Sequence, residues 1–250
     1  MAGPGSTQPA GSTEGGTARS GGGDPVSPVR EAATVLLLRD SPDGLQTWLL
    51  RRVPKMAFAA GMSVFPGGGV DPVDAVGPVP ATAAAVAEQF GTTVEHAGVL
   101  LRAASRELME ETDVQLPLEL LRPWARWITP EVEPRRYDTY FFVAAVPDGA
   151  TAAAVTGEAS HADWIPVAQA LAEYERDERP MMPPTVVNLS ELAAMPSVAA
   201  VLDSAPARVV RPIQPTFRRN ESGTWCADLG DGRLVPLRAS FRRSSGGALP

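Results

Sequence analysis

The chain has 250 residues, 44% apolar and 20% charged, which is enough apolar material to bury one sizeable core. Its 22 Lys plus Arg against 29 Asp plus Glu give a net charge of −7. That excludes the basic face needed for sequence-independent nucleic-acid binding or for a polybasic membrane patch.

One cysteine, Cys226, leaves no internal disulfide framework and no cysteine zinc cluster, and a reducing cytoplasm is the expected compartment. Residues 1–27 are Gly, Ser, Thr, Pro and Ala with scattered charges. They carry too few large apolar side chains to offset ordering entropy, so a disordered tail is expected there and again from Ser244. No secretory leader is expected, and the apolar runs, such as Phe141–Val146, are sized for strands and not for membrane spans.

Between the tails, Ala32–Arg39 reads as a buried strand, and Ser41-Pro42-Asp43-Gly44 as a turn into a second strand over Thr47–Val53. Met62–Phe65 is a short apolar run that stops at Pro66-Gly67-Gly68-Gly69. A Pro-rich loop leads to a helix over Ala81–Phe90, closed by Gly91, and to a second helix from about Glu95 to Thr112. Strands near Trp124–Ile128, Thr139–Val146 and Asp163–Ile165 precede helices over Val167–Glu175 and Thr185–Leu202. Strand-like pieces around Val209, Trp225 and Leu234 follow. The mixture predicts an α/β (mixed α+β) fold, a mixed sheet with helices packed on it.

The stretch with chemistry in it is Arg106-Glu107-Leu108-Met109-Glu110-Glu111-Thr112-Asp113-Val114. At about 100° per residue, Glu110 lies near −60° and Glu111 near +40° from Glu107, so three carboxylates share one face. Leu100, Ala104 and Leu108 supply the opposite, buried side. Hard carboxylate oxygens on a rigid helix are what Mg²⁺ or Mn²⁺ prefers, and Arg106 can orient Glu110 from one turn away. A solvated acidic helix face would show the same pattern.

These residues, taken with Gly68 and Asp74 upstream, resemble the Nudix hydrolase family, whose box is a glycine, five residues, a glutamate, seven residues, then Arg-Glu-apolar-any-Glu-Glu-any-Gly-apolar. Gly68, Arg106, Glu107, Leu108, Glu110, Glu111 and Val114 match by type. Asp74 stands in place of the first glutamate, and Asp113 in place of the terminal glycine. The gap from Asp74 to Arg106 holds 31 residues, an excess of about 24 over the family spacing. An insertion after Pro-Gly-Gly is similar to the coenzyme A diphosphatase branch typified by the mammalian peroxisomal member. So are Ala32-Ala33-Thr34-Val35, Leu49-Leu50-Arg51-Arg52, Arg136 through Phe142, and Pro183-Pro184-Thr185.

The resemblance implies a Nudix fold in a single domain over 28–243, with an insertion at 75–97 and a C-terminal extension from about 205. It implies hydrolysis of a diphosphate in a small nucleoside-diphosphate-linked substrate, with Glu107, Glu110, Glu111 and a carbonyl of Gly67 or Gly68 holding Mg²⁺ or Mn²⁺. The base is Glu158, six residues before Trp164, or Glu107 itself. Arg51, Arg52 and Arg136, with the Gly67 backbone, are the diphosphate-binding candidates. CoA or acyl-CoA is the expected substrate, ahead of ADP-ribose, NADH or a nucleotide sugar, with a non-catalytic nucleotide-binding domain as the alternative from another class. The inserted segment 75–97 is expected to help form the substrate wall or a lid, its apolar helix facing an acyl chain or packing on the sheet. His161 could touch a phosphate or be an ordinary surface residue, and His96 is expected to be solvated. The C-terminal extension reads either as a small added sheet or as a homodimer contact.

Cys226 in a strand-like piece, Gly61-Met62-Ser63 without the second glycine of a nucleophile elbow, and Gly67-Gly68-Gly69 without a dinucleotide fingerprint support no rival chemistry. Lys55, the only lysine, lacks the glycine-rich context of a phosphate loop.

Overall fold

The computed structural model describes residues 28–53, 59–154 and 159–244. The expected disorder of residues 1–27 and of 245–250 lies outside them, as do Lys55 and Glu158.

The most apolar run of the sequence forms the spine. Strand β1 (Val29–Ser41) turns Ala33, Val35 and Leu37 to one face and Leu36 and Leu38 to the other, all fully buried. A strand covered on both faces needs a continuous apolar run, which is what the sequence supplies. A two-residue turn carries β1 into β2 (Gly44–Arg52), with Ser41 opposite Gly44 and φ of 97° at that glycine. On its other side β1 runs parallel to β6 (Arg136–Ala145), paired from Val29↔Arg136 to Leu38↔Ala145.

β2 pairs with β1 only at the turn end, from Leu38 onward. The first half of β1 takes a different partner, β4 (Gly67–Gly69), in the register Ala32↔Gly69 to Thr34↔Gly67. Only glycine allows so close a pairing here, because a Cβ on Gly67 would lie 2.5 Å from the Ala33 carbonyl oxygen. With β3 (Ser63–Val64), β5 (Arg122–Ile128), β7 (Ala159–Pro166) and β8 (Pro212–Ile213), these form an eight-stranded mixed sheet. Its order is β3-β2-β1-β6-β5-β8, with β7 on β2.

Helices α1 (Ala83–Phe90) and α2 (Val94–Thr112) cover the Ala33–Val35–Leu37 face. The segment 75–97 therefore packs on the sheet: Phe90 meets Tyr140 and Phe142 edge-on at 5.0 and 5.3 Å. Gln89 on α1 reaches across to donate to the carbonyls of Ala205 and Arg208, at 2.8 and 3.3 Å.

The Leu36–Leu38 face is covered by α3 (Val167–Glu175), α4 (Pro183–Ala193) and α5 (Val198–Ser204). The single helix expected over Thr185–Leu202 is thus two helices. Pro196 has no N–H to continue the ladder, and Ser197 restarts it by accepting the Ala200 N–H at 3.2 Å. No single described helix is long and apolar enough to cross a membrane, and α4 with the segment Val198–Ala207 bends by 107°.

The C-terminal extension forms a three-stranded antiparallel sheet, β9 (Thr216–Arg219), β10 (Trp225–Asp228) and β11 (Leu234–Pro236), followed by α6 (Ala239–Ser244). Val209, expected near a strand, is an exposed connector residue. Ala227, Leu229, Val235, Leu237 and Phe241 join the same core as α3 to α5.

Asp113 caps α2 in the left-handed conformation, φ 59° and ψ 18°, where glycine carries no Cβ penalty. Asp113→Gly is expected to stabilise the protein by about 0.5–1 kcal/mol, relieving that penalty and a negative charge at the helix's negative end. An unchanged or lowered urea midpoint would contradict this.

Candidate active site

Three carboxylates reach the site because α2 buries its opposite stripe. Leu100, Ala104 and Leu108 are fully buried, which fixes the rotation of the helix. Along the other face Glu111 is buried, Glu107 is mostly buried and Glu110 is more than half exposed. All three sit in the last turns of α2, which contain no basic residue after Arg106. Negative charge at the negative end of a helix is unfavourable unless something positive answers it.

Arg106 supplies part of that answer. Its guanidinium grips Asp74 with two bonds of 2.9 Å, donates to Glu107 at 2.8 Å and Glu110 at 3.2 Å, and donates to the Gly69 carbonyl at 2.9 Å. The sequence pointed Arg106 at Glu110 alone; the structure shows it holding Glu107 as well. Burial alone would raise the Asp74 carboxyl, but Arg106 and the Asp71 N–H outweigh it and hold Asp74 below its ordinary 3.8. Burial does dominate at Glu107, pushing it above 4.5 against the pull of Arg106, with Glu110 and Asp71 adding to the push.

Glu111 accepts the Gly67 N–H at 2.8 Å. Gly68 lies under Glu107: a Cβ there would fall 2.5 Å from a Glu107 carboxylate oxygen. The switch of partner along β1 thus slides a glycine strand beneath the acidic end of α2.

The donor set suits a hard divalent cation, yet among the described residues no three acidic, His or Cys side chains enclose an ion. Arg106 stands between Glu107 and Glu110. That arrangement fits Mg²⁺, which takes one or two carboxylates and completes its shell with water and substrate phosphate. Glu107, Glu110, Glu111 and the Gly67–Gly68 backbone are the residues that could hold it.

These groups open on a cleft of about 670 Å³. The cleft takes Arg106, Glu107, Glu110 and Glu111 from α2 and Gly67–Gly69 from β4. Met62, Phe65, Trp127, Phe141, Met182, Pro183, Pro215, Phe217 and Phe241 make much of the remaining wall. Arg52 lines the cleft; Arg51 lies exposed on the strand with its Nε 3.4 Å from the Gly61 carbonyl. Arg136 is buried and donates to the Thr129 carbonyl at 3.2 Å, so its neighbour Arg135 is the one that lines the cleft. His161 is exposed on β7, 3.5 Å from Asp163. His96 is half-buried and bridges Glu31 at 2.9 Å and Thr92 at 2.7 Å. Glu133, which nothing in the sequence marked, also lines the cleft, and burial pushes its carboxyl up. No residue of 75–97 lines it.

The model of the NUDIX domain matches residues 28–184, more than half of the chain. The chain belongs to the Nudix family. Among solved structures, a NUDIX hydrolase from Alicyclobacillus acidocaldarius is similar over 72% of this chain and 97% of its own, at 24% identity and a TM-score of 0.58. A MutT NUDIX hydrolase from Burkholderia pseudomallei is similar over 66% of this chain and 99% of its own, at 18% identity and a TM-score of 0.45. The NUDIX domain of Shewanella oneidensis NrtR, solved with ADP ribose, covers 67% of this chain and 90% of its own, at 14% identity and a TM-score of 0.45. No curated protein matches. As a Nudix hydrolase the protein is a pyrophosphatase acting on phosphorus-containing anhydrides, within a family that takes nucleoside-diphosphate-linked substrates and generally uses Mg²⁺ or Mn²⁺.

Gly68→Ala is expected to fold normally, since only the mobile end of Glu107 has to move, and to lose activity about 10–100-fold through that displacement. Full activity in a folded Gly68→Ala protein would show that the Glu107 position is unimportant.

Asp74→Asn is expected to destabilise the protein by about 2–4 kcal/mol at neutral pH. Because the folded Asp74 carboxyl is depressed, its contribution is full above 3.8 and is lost as pH falls through the depressed value. The two proteins should therefore converge in urea stability only once the pH has fallen below that depressed value; a gap independent of pH would argue against the ion pair.

Proposed function

We propose that the protein hydrolyses the diphosphate of CoA or acyl-CoA in a divalent-cation-dependent reaction, giving 3′,5′-ADP and (acyl-)phosphopantetheine. The observation that carries this reading is the single cleft in which the α2 carboxylates share space with a wall of Phe, Met and Pro side chains. A sugar or nicotinamide ribose against such a wall would leave hydroxyls unpaired, whereas an acyl chain has none and gains from burial there.

Water adds to one phosphorus, the bridging P–O bond breaks, and each half leaves as a phosphomonoester. Glu107, Glu110 and Glu111, with a Gly67 or Gly68 carbonyl, would hold the cation, which when bound acidifies a water and offsets phosphate charge. Arg52 and Arg135 face the same space and offer planar donors to the diphosphate. Arg106 is saturated by Asp74, Glu107, Glu110 and Gly69, so it positions carboxylates and does not contact substrate. Glu107, Glu133 and Glu158 are the carboxylates suited to act as base, and Glu158 lies outside the described residues.

Purified protein incubated with Mg²⁺ or Mn²⁺ and a mixture of CoA, acyl-CoAs, ADP-ribose, NADH and nucleotide sugars is expected to yield 3′,5′-ADP by mass spectrometry. Glu111→Gln should lower that yield by about 100-fold or more. AMP in its place would move the substrate to ADP-ribose or NADH. Ligand binding with no product would point to a regulatory domain.

A further inference from the structure

The Nudix match ends at residue 184, yet the cleft does not. Pro215, Phe217 and Phe241, all from the C-terminal unit of β9–β11 and α6, line the same space as Glu107 and Glu111. On β9 the neighbours Thr216, Arg218 and Arg219 are exposed, while Phe217 is drawn inward opposite the small, fully buried Ala227. Phe217 is still only half-buried, so part of its ring remains available in the cleft.

The unit is fixed in position. The Tyr174 hydroxyl of α3 donates to the Pro236 carbonyl at 2.5 Å, and the Ser240 N–H donates to Asp177 at 3.0 Å. Phe241 is buried in the core to which α3 and α4 also contribute. A wall held this way loses little freedom when a ligand is seated against it.

We propose that the C-terminal unit is the specificity wall of the enzyme, with Phe217 seating an apolar acyl group attached beyond the scissile diphosphate. This rests on the CoA-type reading given above. The wall's chemistry suits an apolar acyl group. Phe217, Phe241 and Pro215, with Met182 and Pro183 also lining the cleft, have no side-chain donor or acceptor for a base edge. A hydrocarbon chain gains from burial against this surface. The segment 75–97, the other candidate for this role, lies on the far face of the sheet.

The test is calorimetric binding of CoA and octanoyl-CoA to the metal-free full-length protein, in wild type, Phe217→Leu and Phe217→Gln. Wild type is expected to bind octanoyl-CoA at least about tenfold tighter than CoA. Phe217→Leu should keep most of that preference. Phe217→Gln should lose about tenfold of it, with CoA affinity held within about twofold. No preference in wild type, an equal preference in all three proteins, or a parallel loss of both ligands in Phe217→Gln would each overturn the proposal. Hydrolysis of the same two compounds is measured separately with Mg²⁺. A preserved acyl preference without turnover would refute the CoA diphosphatase reading and leave the wall in place.

Discussion

One guanidinium decides whether the acidic end of α2 can exist in a folded chain. Glu107, Glu110 and Glu111 crowd the negative pole of the helix, and Asp74 and Asp71 approach from the turn below. Left to themselves these charges would repel and the last turns would fray. Arg106 ties two of the three glutamates to Asp74 and to the β4 backbone, and the Gly67 N–H answers the third. The cluster stays net negative even so. A helix terminus built against its own dipole is a local destabilisation, retained because an electron-rich pocket is the product.

The second constraint is backbone proximity. β1 exchanges β2 for β4 along its length, and the exchange brings three glycines under the helix. Carboxylates from α2 and backbone groups from β4 then share one small volume, which a Cβ on Gly68 would fill, while one on Gly67 would collide with β1. The helix supplies charge and the strand supplies access, and the fold is the device that superposes them.

Much of this was legible in the sequence because it is periodic or local. The first hairpin announced itself through Ser41-Pro42-Asp43-Gly44, and the acidic face of α2 through spacings of three and four. What depended on side-chain direction at long range was not legible. The grip of Arg106 on Glu107 arises because Asp74, distant in sequence, pulls the guanidinium sideways. Arg135 and Arg136 form a doublet at the start of β6, and only the registered strand tells which one the sheet buries. Gly67–Gly69 carry no side-chain pattern, so nothing in the sequence marks them as a strand. Pro196 did carry a signal, and the division between α4 and α5 follows from it. The walls contributed by Phe217 and Phe241 depend wholly on tertiary packing.

The amide of Gln89 joins two parts of the chain that supply none of the α2 carboxylates. From α1 it binds the carbonyls that end the 205–208 connector, just before the chain enters β8 and the C-terminal sheet. The segment 75–97 thereby ties down the point where the last stretch of chain departs from the body, although it does not line the cleft. Such a dependence leaves a trace in descent. Among relatives, the helix that carries Gln89 and the sheet that carries Phe217 would be inherited or discarded as a pair.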